Sequence, residues 1–193
     1  MANLKRKCRC CKEYTEVASG VKVPLGHFCS MACVTAYSLE KAQKARQKKN
    51  KKELTEYRER TKNAAQWKRE AQTAFNTYIR YRDMGRPCIS CGSVPDSKFG
   101  GSIDAGHYRS RGSAAHLAFN QSNCHSQCVR CNRYLSGNVV EYRKELINRI
   151  GLTKVEALEN NNEIRRLDID YYKRIKSIFT RKLRLKKKLN KLN

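Results

Sequence analysis

The apolar positions of this chain fall into short clusters separated by long polar runs. Val17, Val21, Val23 and Phe28 surround Ser19-Gly20 and Pro24-Leu25-Gly26. That pattern predicts a short hairpin that turns into a helix near Ser30, whose hydroxyl can cap it. Leu39 to Arg69 is rich in Lys, Arg, Gln, Ala and Glu without Gly or Pro, which predicts one long helix. Only Leu54, Tyr57 and Trp67 break its polar run, and no sustained heptad argues for a coiled coil. Trp67, Ala71, Ala74, Phe75, Tyr78 and Ile79 recur at helical spacing and predict a face that docks on a core. Met84-Gly85-Arg86-Pro87 ends that helix. Ser102–Tyr108 and Leu117–Phe119 read as two strands, with Ser110-Arg111-Gly112-Ser113 as the turn between them. A helix is expected from near Asn132, continuing over Val139–Ile150 with Tyr142, Leu146, Ile147 and Ile150 on its apolar face and Gly151 as its stop. Thr153–Asn162 reads as a short acidic helix. Asp168–Leu192 reads as a final helix with Ile169, Tyr172, Ile175, Phe179 and Leu183 on one face.

These elements give an α+β fold class in four segments: a module over residues 1–37, a basic helical connector over 38–86, a central module over 87–151 and a basic helical tail over 152–193. Hydrophobic content of 39%, charged content of 31% and a single Trp argue against one large continuous core.

Charge changes the picture next. A formal net charge of +25 creates a field that attracts a polyanion, and nucleic acid is the partner that fits it. Lys48, Lys49, Lys51 and Lys52 in the connector and Lys186, Lys187 and Lys188 in the tail are the densest runs, each an expected phosphate-contact surface. A membrane partner is not expected, because no apolar run approaches the roughly 20 residues a spanning helix needs. The basic start, Met1–Lys7, is followed by no apolar signal region, which points to the cytoplasm.

Ten cysteines sit in short-spaced pairs, a pattern of thiolate–metal chemistry in a reducing compartment rather than of disulfides. Cys8-x-x-Cys11 with Cys29-x-x-x-Cys33 forms one four-thiolate set, in which Cys10 could replace Cys8. Cys88-x-x-Cys91 with Cys128-x-x-Cys131 forms another. Each matches the tetrahedral preference of zinc, and the first module is too small to fold without such a staple. Two structural zinc ions are therefore expected.

The second pair of knuckles is separated by a gap longer than a simple zinc ribbon needs, and the insert is polar. His107 is a candidate general base, since an imidazole accepts a proton near neutral pH. Asn123 could orient that ring through its side-chain oxygen. Asp104 and Asn132 offer hard oxygen ligands for a catalytic Mg²⁺ or Mn²⁺, and His125 a further ligand or phosphate contact. Arg109, Arg111 and Arg130 are candidates to hold phosphates. His116, Cys124 and Asn138 are read as structural.

His107, Asn123 and Asn132 between two CxxC knuckles resemble the HNH, or ββα-metal, nucleases. Pro87-Cys88-Ile89-Ser90-Cys91-Gly92, Asp104-Ala105-Gly106-His107-Tyr108-Arg109 and Gln127-Cys128-x-x-Cys131-Asn132 through Ser136-Gly137-Asn138 resemble, more closely, the NinG or Rap recombination proteins of lambdoid phages. The resemblance is good over residues 71–151 and looser over the first module and basic helix. It implies a zinc-stapled HNH-like module between a zinc-finger-like module and basic helices. It also implies a divalent-metal-dependent DNA endonuclease acting on branched recombination intermediates, Holliday junctions and D-loops, in the host cytoplasm. Phage or host recombination proteins are further expected partners, as is a second copy of the chain, because a symmetric junction calls for two active sites. One departure stands out: many HNH members carry a metal-binding Asp or His directly before the base, where this chain has Gly106. Asp104 would then have to reach the metal from three residues earlier. The competing expectation is a non-catalytic zinc-finger protein that binds nucleic acid or serves as a recombination or replication scaffold.

Overall fold

A computed structural model describes residues 4–94 and 103–191. Ser102, the predicted start of the first central strand, and Leu192, the predicted end of the last helix, lie outside the described residues. The chain forms two compact units, residues 1–62 and 63–193. The connector read as one segment is thus divided between them.

The first unit holds two antiparallel hairpins rather than the single one expected. β1 (Lys5–Lys7) pairs with β2 (Tyr14–Glu16), and β3 (Val21–Val23) pairs with β4 (Gly26–Phe28). Gly26 makes the second turn at φ +125°, a backbone conformation that L side chains rarely adopt. Among its described residues Cys8, His27 and Phe28 are buried, and Phe28 packs on Tyr37 with ring centroids 5.3 Å apart. So small a core cannot by itself offset chain entropy, which leaves stability to the cysteines. α1 (Met31–Thr61) starts where Ser30 Oγ accepts a hydrogen bond from Cys33 N at 3.3 Å. It buries no residue, as a helix polar on every face must.

The long helix predicted from Leu39 to Arg69 is interrupted at Lys62–Asn63. Asn63 Oδ1 accepts from Gln66 N at 3.0 Å, while Gln66 Oε1 accepts from Asn63 N at 2.9 Å. This reciprocal cap opens α2 (Ala64–Arg82) and satisfies two donors that a new helix start would otherwise orphan. The break falls where the polar run ends, with the cap Asn63 four residues before Trp67, the first buried side chain of α2.

In the second unit α2 lies along α5 (Ile169–Leu189), which Asp168 caps through Tyr171 N at 2.8 Å. Trp67, Ala71, Phe75 and Ile79 of α2 join Tyr172 and Phe179 of α5 in one core cluster. Phe75 meets Phe179 edge-on at 4.8 Å and Phe119 at 5.7 Å. A second cluster joins Ile89 and Tyr108 to Tyr142 and Leu146 of α3 (Val139–Ile150) and Val155 and Leu158 of α4 (Leu152–Glu159).

Between knuckle and helix runs an antiparallel hairpin, β5 (Ile103–His107) with β6 (Cys124–Cys128), in which Asp104 faces Gln127 and His107 faces Cys124. The predicted second strand, Leu117–Phe119, is instead the end of a 3-10 turn. Its three residues are all buried. Leu117 joins the second cluster, whereas Ala118 and Phe119 join the first, a division that strand alternation does not allow. β6 escaped prediction because Cys-His-Ser-Gln-Cys shows no apolar alternation. His125, Ser126 and Gln127 are buried all the same, with the His125 ring meeting Arg82 and Gln127 Nε2 donating to Ser90 and to the Gly137 carbonyl, contacts that only the fold supplies.

Candidate active site and zinc centres

In each cysteine set, Cys8, Cys11, Cys29 and Cys33 or Cys88, Cys91, Cys128 and Cys131, the four sulfurs lie within 4.8 Å of one another. The sulfurs are 3.7 Å apart for Cys11–Cys29, 3.3 Å for Cys29–Cys33 and 3.8 Å for Cys91–Cys128. A tetrahedron of Zn–S bonds of about 2.3 Å has edges of about 3.8 Å, so both sets fit zinc, and none of these pairs is at disulfide distance. The tetrad contains Cys8 and leaves Cys10 outside. Lys12 after Cys11 and Gly92 after Cys91 share a left-handed φ of 69°, the same sharp turn closing both knuckles. In the second, Cys128 N donates to Cys88 Sγ at 3.3 Å and Cys131 N to Cys128 Sγ at 3.4 Å, bonds that favour thiolates.

Beside that tetrad opens a cavity of about 510 Å³. Asp104 and His107 line it from β5, Ser110 and Arg111 from the following loop, and Asn132 and Arg133 from the turn after β6. α2 adds Asn76 and Arg80, and Ser136 and Gly137 complete the wall.

His107 is half-buried at the end of β5. Its Nε2–H donates to the Ala118 carbonyl at 2.9 Å, leaving Nδ1 as the nitrogen with a lone pair. Nδ1 has the Cys124 sulfur 3.8 Å away, and burial raises that thiol so that it stays protonated. Burial also lowers the pKa of His107 below its ordinary 6.5, with the Arg111 charge acting in the same direction. The ring is therefore neutral at pH 7.

Asn123 does not touch the imidazole, which corrects the expectation that its oxygen orients the ring. Fully buried, it accepts from Arg109 N at 2.8 Å and donates to the carbonyls of Arg109 at 3.0 Å and Leu117 at 3.3 Å. It ties down the loop whose next carbonyl, that of Ala118, holds His107, so its influence on the ring passes through the backbone.

The fold brings Asp104 and Asn132 together, as the amide Nδ2 donates to Asp104 Oδ2 at 2.8 Å. Arg133 adds a bidentate pair to the same carboxylate. Arg133, then burial (which opposes) and Asn132 set its titration, and the net effect keeps Asp104 ionised below the usual range. Gly106, between Asp104 and His107, has no room for a side chain. A Cβ there would lie 2.1 Å from Gln127 Oε1 and 2.8 Å from Gln127 Cβ.

His125 is away from this cavity, a correction to its expected catalytic role. It is buried in a network at the end of α2, with Nδ1 3.1 Å from Arg82 Nη2 and 3.7 Å from Asp83 Oδ2. Arg82 binds both oxygens of the fully buried Asp83 and donates to the carbonyls of Gln121 and Cys124, while Ser126 N donates to Asp83 at 3.0 Å. Burial and Arg82 hold His125 down to about 4.

Arg109 likewise departs from its expected phosphate role. Its guanidinium donates to the carbonyls of Leu158, Glu159 and Asn161 and to Asn162 Oδ1, closing the C-terminus of α4. Arg111 and Arg130 are exposed, Arg111 on the cavity. Lys48, Lys49, Lys51 and Lys52 are exposed on α1, with Lys49 3.9 Å from Glu53 and Lys52 3.7 Å from Glu56. Lys186, Lys187 and Lys188 form the last turn of α5, and Lys187 lies over the Tyr81 ring at 5.7 Å. His116 bonds the Asn161 carbonyl at 2.9 Å. Sequence reasoning missed Asn76, Arg80 and Arg133. The signal was there for two of them, since Asn76 and Arg80 form an i, i+4 polar pair beside the Phe75–Ile79 core face.

Fold and sites together define a small α+β protein with two cysteine tetrads of zinc geometry, one of them bordering a basic cavity that contains a neutral histidine. The chain belongs to the NinG family: residues 1–190 match the family described as Bacteriophage Lambda NinG protein. It is 37% identical over 194 residues to Protein ninG of Escherichia phage 933W, covering 93% of this chain and 92% of that relative. It is 39% identical over 171 residues to Protein ninG of Escherichia phage lambda, covering 81% and 82%, and 36% identical to that of Salmonella phage P22 over the same shares. No solved structure matches the chain. Among the described residues no helix is long and apolar enough to cross a membrane.

Proposed function

We propose that the chain is a zinc-stapled, divalent-metal-dependent endonuclease of branched DNA whose hairpin, knuckle and following helix act as an HNH-like centre. The observation that carries this reading is the opening of His107, Asp104 and Asn132 into one cavity rimmed by Arg80, Arg111 and Arg133. His107 Nδ1 takes the proton of the water that attacks the phosphorus, and the Ala118 carbonyl holds the ring in the tautomer this requires. Arg80 and Arg111 hold the phosphate against that attack. Asp104 and Asn132 supply oxygen ligands to Mg²⁺ or Mn²⁺, which when bound stabilises charge on the phosphorane and leaving oxygen. The crowding at Gly106 supports Asp104 as the carboxylate ligand, since no ligand side chain fits directly before His107. The basic faces of α1 and α5 grip the DNA arms through sequence-independent phosphate contacts.

Purified protein incubated with labelled four-way junction, D-loop and linear duplex, with and without Mg²⁺ or Mn²⁺, tests this directly. Cleavage of the branched substrates should need the metal and drop at least 100-fold in His107→Ala. One observation favours a second reading, a non-catalytic zinc-stapled DNA binder: Arg133 already occupies both oxygens of Asp104. Binding without cleavage, unaffected by His107→Ala or Asp104→Asn, would establish that reading instead.

A further inference from the structure

Tyr134 and Leu135 are exposed apolar side chains placed beside the polar cavity of Asp104 and His107. Tyr134 is 79% exposed and Leu135 46%. Asn132 and Arg133 before them and Ser136 and Gly137 after them all line the cavity, so the pair stands on its rim. The Tyr134 side chain makes no hydrogen bond or ring contact within the described residues. A lone exposed tyrosine means little, but this one is held on a rigid support.

The support is unusual in its backbone. Residues 130–134 form a π-helical turn, a form often found at functional sites. Ser136, Gly137 and Asn138 follow with left-handed φ of 49°, 89° and 43°, costly for the two that are not glycine. The bend is pinned to the second zinc knuckle. Leu135 N donates to Arg130 O at 3.0 Å and Gly137 N to Cys131 O at 2.9 Å. Gln127 Nε2 and Ser90 Oγ both donate to Gly137 O. The chain thus accepts strain to keep an aromatic ring and a leucine in solvent, one residue from the arginine that reaches Asp104.

An apolar ring in a strongly positive setting fits one occupant better than any other: a nucleobase not covered by a stacked neighbour, whose own phosphate meets Arg130 or Arg133. Every base offers a π face, and an aromatic side chain replaces lost base stacking without reading sequence. In continuous duplex all bases are stacked, so such a ring finds no partner there. At a branch point they are not.

We infer that Tyr134, supported by Leu135, is a wedge that stacks on an unpaired or unstacked base at the branch point of DNA and gives the protein its preference for branched over linear substrate. The inference rests on the branched-DNA reading above and names the residue that confers it. The wedge also sets the distance from branch to cut, because the ring and the cavity share one rigid turn.

The test is binding in magnesium-free buffer to a four-way junction and to a duplex of the same arm sequence, using wild type, Tyr134→Ala and Tyr134→Phe, with 2-aminopurine at the branch. Tyr134→Ala should weaken junction binding about tenfold and duplex binding less than about twofold, while Tyr134→Phe binds as wild type. Quenching of 2-aminopurine by wild type should be lost in Tyr134→Ala. Zinc content and thermal melting of the variants establish that the fold is intact. Equal loss on junction and duplex, or no loss on either, overturns the wedge while wild-type preference for the junction leaves the parent reading standing. A wild type that binds duplex as well as junction overturns both.

Discussion

Arg133 Nε lies 2.7 Å from Asp104 Oδ2 and its Nη2 lies 2.9 Å from Oδ1, so one guanidinium holds the whole carboxylate. The same carboxylate accepts from Asn132, and all three residues line the cavity that contains His107. A fixed cation thus sits where the proposed divalent ion would bind, and the two would compete for the same oxygens.

Competition predicts that Arg133→Gln binds Mn²⁺ a few-fold more tightly than wild type, a modest gain because the arginine is largely exposed and its pair is screened. Titration calorimetry on zinc-loaded protein without DNA measures this. Asp104→Asn should remove the site in either background. Unchanged or weaker Mn²⁺ binding in Arg133→Gln would rule out the competition.

The two cysteine tetrads predict about two zinc ions per chain. Cys91→Ser should lose one and destabilise residues 63–193, whereas Cys11→Ser should lose the other and leave that unit folded. Metal analysis with limited proteolysis separates the two outcomes. Fewer than two zinc ions per chain in wild-type protein purified under reducing conditions would contradict the assignment.

Arg109 and Arg111, two residues apart, should behave as different kinds of arginine. Arg109→Ala strands the carbonyls at the end of α4 and should cost about 2 kcal/mol of stability while leaving the salt dependence of DNA binding unchanged. Arg111→Ala should melt as wild type but lower the slope of log affinity against log salt by about one. The reverse pattern would place the phosphate contact at Arg109.

His125 predicts a pH dependence of stability. Its folded pKa is about 4, below the unfolded value of about 6.5, so between these limits the unfolded chain binds the extra proton. Stability should therefore fall as pH drops from 6.5 towards 4, by on the order of 3 kcal/mol. The physical cause is burial together with Arg82, whose guanidinium faces the nitrogen that would be protonated; Asp83 opposes it only in part. Thermal melting across this range, with zinc content followed in parallel, should show a flatter profile for His125→Gln. An equally steep profile in that variant would assign the acid sensitivity elsewhere.

Much of the scaffold could be read from the residues alone. The paired cysteines announced their tetrads because zinc chemistry demands that spacing, and the Trp67–Ile79 stripe announced its core face through helical periodicity. Ser30 was legible as a cap because capping is a local interaction. Membership in the NinG family followed from the motifs around the knuckles and is shown by the whole-chain match.

The site was legible only in part. His107, Asp104 and Asn132 could be picked out by type and context, and the hairpin with the turn that follows it brings them to one cavity. Asn123, His125 and Arg109 could not be told from cavity-lining groups, because burial and hydrogen-bond partners are long-range quantities: Asn123 bonds Arg109 across 14 positions, His125 meets Arg82 across 43, and Arg109 reaches residues 158–162. β6 was missed for the same reason, since His125 and Gln127 are buried against Arg82 and Ser90, partners distant in sequence. Sequence by itself determined which residues could bind zinc, form helices and carry charge, as these follow from composition and short spacing. Only tertiary structure decided which polar groups face the cavity and which hold the frame, because a side chain's role depends on what the fold places opposite it.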